Sequence, residues 1–336
     1  MEKKVVELFA GGGGLALGLE MAGLEHEMLV EIDKDCVATL KHNRPEWNVI
    51  HEDIKEIEFK GVKSDIVTGG FPCQAFSYAG KKLGFEDTRG TLFFEFARAV
   101  KEIKPKICMA ENVEGLVRHD NGRTLETMLE VLTDLGYNVQ YKVLNAVNFN
   151  VPQKRKRMVL IGTLNGINFS YPKPNKKIFT IEDALKDVPD SDGINYSEKR
   201  EKVLELVPPG GCWIDLPEDV KKEFMGKSYY SGGGKRGMAR RMSWTEPCLT
   251  LTTSPSQKQT ERCHPEETRP FTIREYARIQ TFPDNWEFIG GKSSQYKQIG
   301  NAVPVKLGEI LGKQLIKALD GKEKVSISKQ AKLSAF

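Results

Sequence analysis

An α/β fold, with a doubly wound, mostly parallel sheet and a smaller irregular second domain, is predicted by three features of the sequence. Strand-like and helix-like segments alternate through residues 4–161, the pattern of a sheet covered by helices on both faces. A glycine run, Gly11-Gly12-Gly13-Gly14, separates the first strand from the first helix. The alternation stops at Tyr171-Pro172-Lys173-Pro174, and the pieces beyond it are short and rich in Gly and Pro.

Residues 4–10 read as a buried strand ending near Phe9, and residues 15–22, rich in Leu and Ala, as a helix. A strand at 26–32 and a helix at 35–43 repeat the unit, and a short strand at 48–50 precedes Asp53. The apolar run 65–68 is the fourth strand, closed by Gly69 and Gly70. A helix at 91–103, a strand at 106–110, a helix at 124–135 and strands at 139–144 and 158–161 complete the series. Helices return at 272–280 and 305–319, and the polar end of the chain is expected to fray.

Bulk composition narrows the class. Apolar residues make up 39% and charged residues 29% of the 336 positions, as in a soluble globular protein. No run is apolar for eighteen residues, so no membrane span is expected. The first residues are too charged for a signal peptide, which points to a cytoplasmic protein. The six cysteines have neither C-x-x-C nor zinc-ligand spacing, so neither a metal nor a disulfide framework is expected. Net charge is only +4, yet seven basic residues stand against two acidic ones between Lys227 and Arg262. Tyr229, Tyr230 and Trp244 interleave with them, a mixture suited to phosphates and bases.

Candidate ligand groups lie at strand ends, where open α/β sheets bind their ligands. Gly11-x-Gly13-x-x-Ala16 fits a nucleotide-binding turn. Glu31, 18 residues after Gly13, ends the second strand, where a carboxylate accepts from ribose hydroxyls. Asp53 stands in the same row and suits an adenine amine. These features fit a dinucleotide and other adenosine cofactors alike. Phe71-Pro72-Cys73-Gln74 sets a thiol just after the fourth strand, with Pro72 keeping Phe71 extended. Glu111-Asn112-Val113 follows the fifth strand at the same edge, and Gln153-Lys154-Arg155-Lys156-Arg157 precedes the last. Thiol, carboxylic acid and guanidinium form a coherent set.

The motifs, read in order, carry a resemblance. Phe9 to Gly14, Phe71 to Gln74, Glu111 to Val113, Gln153 to Arg157, Arg274 to Asp284 and Gln298-Ile299-Gly300-Asn301-Ala302-Val303-Pro304 together resemble the bacterial DNA (cytosine-5) methyltransferases. The match runs from Leu8 to Val305 and omits only the irregular middle, where that family carries its variable target-recognition domain.

The resemblance implies a Rossmann-like methyltransferase fold that uses S-adenosyl-L-methionine. It implies that the Cys73 thiolate adds to C6 of a flipped-out cytosine and so makes C5 nucleophilic. Glu111 would contact N3 and N4, Arg157 the carbonyl O2, and Arg155 the loop or a phosphate. Phe9, Gly11, Gly13, Glu31, Asp53, Leu92 and Asn301 would hold the cofactor. Gln74 and Ser77, on a loop of residues 75–87, would meet the DNA, and Arg236, Arg240 and Arg241 are candidate contacts in the middle domain. The expected organisation is a catalytic domain (1–172), a target-recognition domain (173–270), a hinge (271–297), a returning C-terminal motif and helix (298–322) and a polar tail (323–336). Double-stranded DNA is the implied partner, a cognate restriction endonuclease the functional counterpart, and a monomer the expected state. A nicotinamide oxidoreductase shares the glycine turn but leaves Cys73 and Glu111 unexplained. A tRNA methyltransferase shares the catalytic motifs, but the Cys-Phe-Thr motif usual in its middle domain is not found here. A non-catalytic DNA-binding relative would be expected to lack the thiol or the acid.

Overall fold

The computed structural model describes residues 2–72, 92–230 and 237–321. Four of the proposed site residues, Cys73, Gln74, Ser77 and Arg236, lie outside them. The main sheet contains β1 (Lys4–Leu8), β2 (Glu25–Glu31), β3 (Val49–His51), β4 (Ile66–Gly69), β5 (Ile107–Val113), β6 (Asn138–Asn145) and β8 (Lys156–Thr163). Their spatial order is β3-β2-β1-β4-β5-β8-β6. Neighbours are parallel throughout except at β8, which runs antiparallel to both β5 and β6. A two-stranded parallel ladder joins β7 (Gln153–Lys154) to β9 (Cys248–Leu249).

Both faces of the sheet are covered. Val6 and Leu8 of β1 join Phe93, Phe96 and Met128 on one face, contributed by α3 (Leu92–Ile103) and α4 (Arg123–Asp134). Val5 joins Leu15, Leu311 and Leu315 on the other, contributed by α1 (Gly14–Ala22) and α10 (Val305–Leu319). This split follows from the period of two along a strand. The first-half predictions hold to within one to three residues at most ends, and α10 matches the predicted 305–319. The close approach of α1 and α10 needs small residues. A Cβ on Gly18 would lie 2.5 Å from the Val305 carbonyl oxygen.

The middle of the chain holds more regular structure than its Gly- and Pro-rich sequence predicts. It contains α5 (Ile181–Leu185), α6 (Glu198–Glu205) and α7 (Glu218–Met225), each short. Tyr196, Leu204, Val207, Leu216, Ala239 and Cys263 form a small core there. Ile181, Met242 and Leu251 instead pack with Phe271 and Tyr276. The chain then forms α8 (Ile273–Ile279), α9 (Lys292–Asn301) and α10. Helix α9 has no counterpart in the sequence prediction. Among the described residues no helix is long and apolar enough to cross a membrane.

Candidate active site

Strand order reverses between β1 and β4, and a crevice at the carboxyl ends of the strands is where such sheets bind ligands. The chain leaves β1 through Phe9, whose φ of 61° lies in the left-handed region. That conformation costs a non-glycine residue of order 1–3 kcal/mol and clusters at functional sites. The Phe9 ring meets Phe71, just beyond β4, edge-on at 6.3 Å between centroids. Two elements distant in sequence thus close on one point.

The glycine turn is held by Glu31. Its Oε2 accepts from the Gly11 N–H at 2.7 Å, and its Oε1 accepts from Ile32 at 2.9 Å and Asp33 at 2.8 Å. A carboxylate offers about four acceptor positions, so one on Oε2 remains for a ligand hydroxyl. Gly13 caps α1 at φ 85°, and a Cβ there would meet the Trp286 ring at 2.6 Å. Only glycine satisfies both constraints. Asp53 follows β3 and accepts from the Lys55 N–H. Leu92 opens α3 and packs partly buried against the same cluster as Phe9 and Ile50. Asn301 ends α9, exposed, beside Ala302, whose Cβ sits 2.9 Å from where a Gly14 Cβ would lie. Gly11, Glu31 and Asp53 follow the carboxyl ends of the adjacent strands β1, β2 and β3 and so share one rim of the sheet. Ile32, which the motif reading did not single out, is 63% exposed on that rim. An aliphatic residue between Glu31 and Asp33 was the only hint in the sequence.

Glu111 stands in β5 one residue past the last β4 pairing, Gly69 with Ala110, where β5 still pairs with β8. Its Oε2 lies 3.4 Å from the position a Cβ on Gly70 would take. Arg157 of β8 forms an ion pair with Glu111, Nε to Oε1 at 2.9 Å, and both side chains are 12% exposed. Burial pushes the Glu111 carboxyl above its ordinary value, while Arg157 and Arg155 pull it back. Burial likewise lowers Arg157, which Glu111 opposes. The pair is held where its charged forms are poorly hydrated.

Arg155 sits elsewhere than the reading of a loop or phosphate contact suggests. It is 1% exposed and donates to the carbonyls of Leu251 at 3.1 Å and Gly300 at 2.9 Å. Burial brings its guanidinium down to about 9. Beside it, Gln153 donates to Gln280 at 2.9 Å and accepts from the Leu251 N–H at 3.1 Å. Gln153 and Arg155, at and just beyond β7, are buried, whereas Lys154 and Lys156 are exposed. Lys154, Lys156, Arg157, Asn145, Val113 and Thr250 border a cavity of about 470 Å³ beside the Glu111 pair.

Arg241 is a correction. As a candidate DNA contact it should be accessible, yet it is 4% exposed. It donates to the carbonyls of Val207, His264, Glu266 and Leu204 and to the Thr268 hydroxyl. All five guanidinium donors are used inside the domain. Arg240 lies 4.0 Å from Glu246, with its side chain 16% exposed.

The five described cysteines are all buried. Burial pushes Cys108 and Cys248 up to about 12 and Cys263 to about 11, and raises Cys36 as well. Such thiols are poor nucleophiles.

A family model, C-5 cytosine-specific DNA methylase, matches residues 3–317. Type II methyltransferase M.Eco47II of Escherichia coli is 59% identical over 330 residues, covering 94% of this chain and 79% of that relative. M.Sau96I of Staphylococcus aureus is 58% identical, covering 94% and 76%. Two solved structures share the fold. One is a prophage-encoded DNA modification methyltransferase of E. coli, with TM-score 0.70, 24% identity and coverage of 95% of this chain and 100% of that one. The other is Dnmt2 of S. pombe, with TM-score 0.66, 18% identity and the same coverage. With a seven-stranded sheet of matching fold, a carboxyl–guanidinium pair at its edge and these similarities over nearly its whole length, the chain belongs to the C-5 cytosine-specific DNA methylase family and is a DNA (cytosine-5-)-methyltransferase.

Proposed function

We propose that the protein methylates C5 of a cytosine flipped out of a short specific sequence in double-stranded DNA, through a covalent Cys73–C6 adduct. The observation that carries this is the Glu111–Arg157 pair, buried at the sheet edge one residue past the end of the β4 pairing, next to the turn that leads to Cys73. A base removed from the stack costs a few kcal/mol of stacking and pairing, and the pair offers it a matched edge. Protonated Glu111 donates to N3 and accepts from N4, and Arg157 donates to O2. As the Sγ–C6 bond forms, the C5–C6 π electrons shift to C5 and charge moves to N3, where Glu111 meets it. The elevated Glu111 carboxyl suits that role.

S-adenosylmethionine supplies the electrophilic methyl group when bound. The rim suits it. Phe9 and Leu92 give apolar surface, Gly11 and Gly13 allow close approach, and Glu31 keeps one free acceptor position for a ribose hydroxyl. Asp53 suits the adenine amine and Ile32 the ring face, and Asn301 stands at the end of α9, next to Ala302, which adjoins Gly14 of the glycine turn. Gln74, Ser77, Arg236 and Arg240 are the proposed DNA contacts. Arg155 serves the site by tying the catalytic strand to the middle domain. The relatives are type II methyltransferases, which supports a role in a restriction–modification pair, with a monomer acting in the cytoplasm to protect DNA from a cognate endonuclease.

Methyl transfer to duplex DNA by the wild type, Cys73→Ser and Glu111→Gln tests the scheme. Cys73→Ser is expected to lose turnover and keep DNA binding. Glu111→Gln is expected to slow transfer by about 10²–10⁴-fold with cofactor affinity unchanged. Turnover by Cys73→Ser would overturn the covalent scheme, and lost cofactor affinity in Glu111→Gln would misplace that residue.

A further inference from the structure

Strand β4 stops pairing at Gly69, while β5 runs on to Val113 along β8. Beyond Gly69 the backbone ladder no longer fixes the chain that leads to Cys73. Asn112 spans this gap. Asn112, 4% exposed, donates from Nδ2 to the Phe71 carbonyl at 2.8 Å. Its Oδ1 accepts from the Val113 N–H at 2.9 Å, which fixes the amide's orientation. Phe71 is itself 2% exposed and packs on Phe93 at 5.6 Å and Phe96 at 5.9 Å between centroids.

We infer that Asn112 is a positioning residue for methyl transfer, using its amide to hold the Phe71–Pro72 backbone in register with the strand that carries Glu111. This rests on the reading of Cys73 and Glu111 given above. The chemistry needs the thiolate and the acid to reach one base at once, from two strands whose pairing has ended. An amide is the right group, because it supplies a donor to one strand and an acceptor to its own. Carboxylate, at the same size, keeps the acceptor and cannot donate to the Phe71 carbonyl. Among the described residues its side-chain hydrogen bonds go only to the backbone of Phe71 and Val113, so its effect belongs to kcat rather than to binding.

The test uses Asn112→Asp and Asn112→Ala in the full chain. It measures kcat, affinity for adenosylmethionine and for duplex DNA, and the rate at which a duplex containing 5-fluorocytosine is trapped as a covalent adduct. A misplacement of about 1 Å can cost about 10²-fold in rate. We expect kcat and trapping to fall together by about 10–10²-fold, with both affinities within about twofold of wild type. Rates are taken per folded molecule, so loss of folded protein does not mimic the effect. Trapping at the wild-type rate by folded Asn112→Asp, or affinities that fall as far as kcat, would overturn the inference alone. A wild type that neither methylates nor traps would remove the reading beneath it.

Discussion

Glu111 and Arg157 stand 2.9 Å apart on adjacent antiparallel strands, each with only 12% of its side chain exposed. Their neighbour Arg155 shows how position within a motif divides the work. Two residues away, in the step between β7 and β8, its two terminal nitrogens donate to carbonyls of the middle domain and of α9. Arg241 donates to carbonyls in the same way. Replacing Arg241 by Met strands five acceptors and is expected to lower stability by roughly 3 kcal/mol or more, while the salt dependence of DNA binding stays as in the wild type. Arg240→Gln is expected to reduce the slope of log K against log salt by about one. Thermal melts and binding titrations at several salt concentrations check both. An Arg241→Met protein with a reduced slope and an unchanged melting temperature would restore Arg241 to the interface.

At the scale of elements, the pairing of α1 with α10 returns the end of the chain to the beginning of the sheet. Val303 and Ala302 then sit directly on Gly14, so the cofactor turn and the C-terminal motif form one surface. Gly18→Ala is expected to force the helices apart, because its Cβ would lie 2.5 Å from the Val305 carbonyl oxygen. Overpacking of this kind costs about 1–3 kcal/mol, and weaker adenosylmethionine binding should accompany it. Denaturant melts and a cofactor titration check this, and unchanged values in both would mean that the helices separate without cost. These elements were readable where periodicity was strong. Helix α3 buries Phe93, Phe96, Ala97 and Val100 on one face, and α10 buries Leu307, Leu311 and Leu315. Helix α9 was not readable, since Lys292–Asn301 is mostly polar and is placed by Tyr296 and Ile299 packing into a core formed from distant segments. The short middle helices failed for the same reason. The candidate site residues stood out as motifs at strand ends, whereas their burial did not. A count of basic residues does not distinguish Arg241, spent on carbonyls, from a surface arginine, and nothing local to Gln153 names Gln280 as its partner.

For the whole molecule, the carboxyl ends of the parallel strands carry the glycine turn, Glu31 and the Glu111–Arg157 pair, and Gln153 and Arg155 form a seam to the middle domain. Gln280 links that seam further. It donates to the Ile299 and Ala302 carbonyls at 2.7 and 3.1 Å while accepting from Gln153. Gln153 of β7, Leu251 of the middle segment and residues 299–302 therefore meet in one buried polar junction. Such a junction fixes the middle segment against the sheet that carries Glu111 and Arg157. The central claim is sequence-specific methylation of cytosine at C5, and bisulfite sequencing of unmethylated plasmid DNA treated with the purified protein and S-adenosylmethionine tests it most directly. The account predicts protected cytosines confined to one short sequence context, and their disappearance with Cys73→Ser. Complete conversion of every cytosine by bisulfite, after treatment with folded protein that binds the cofactor, would contradict it.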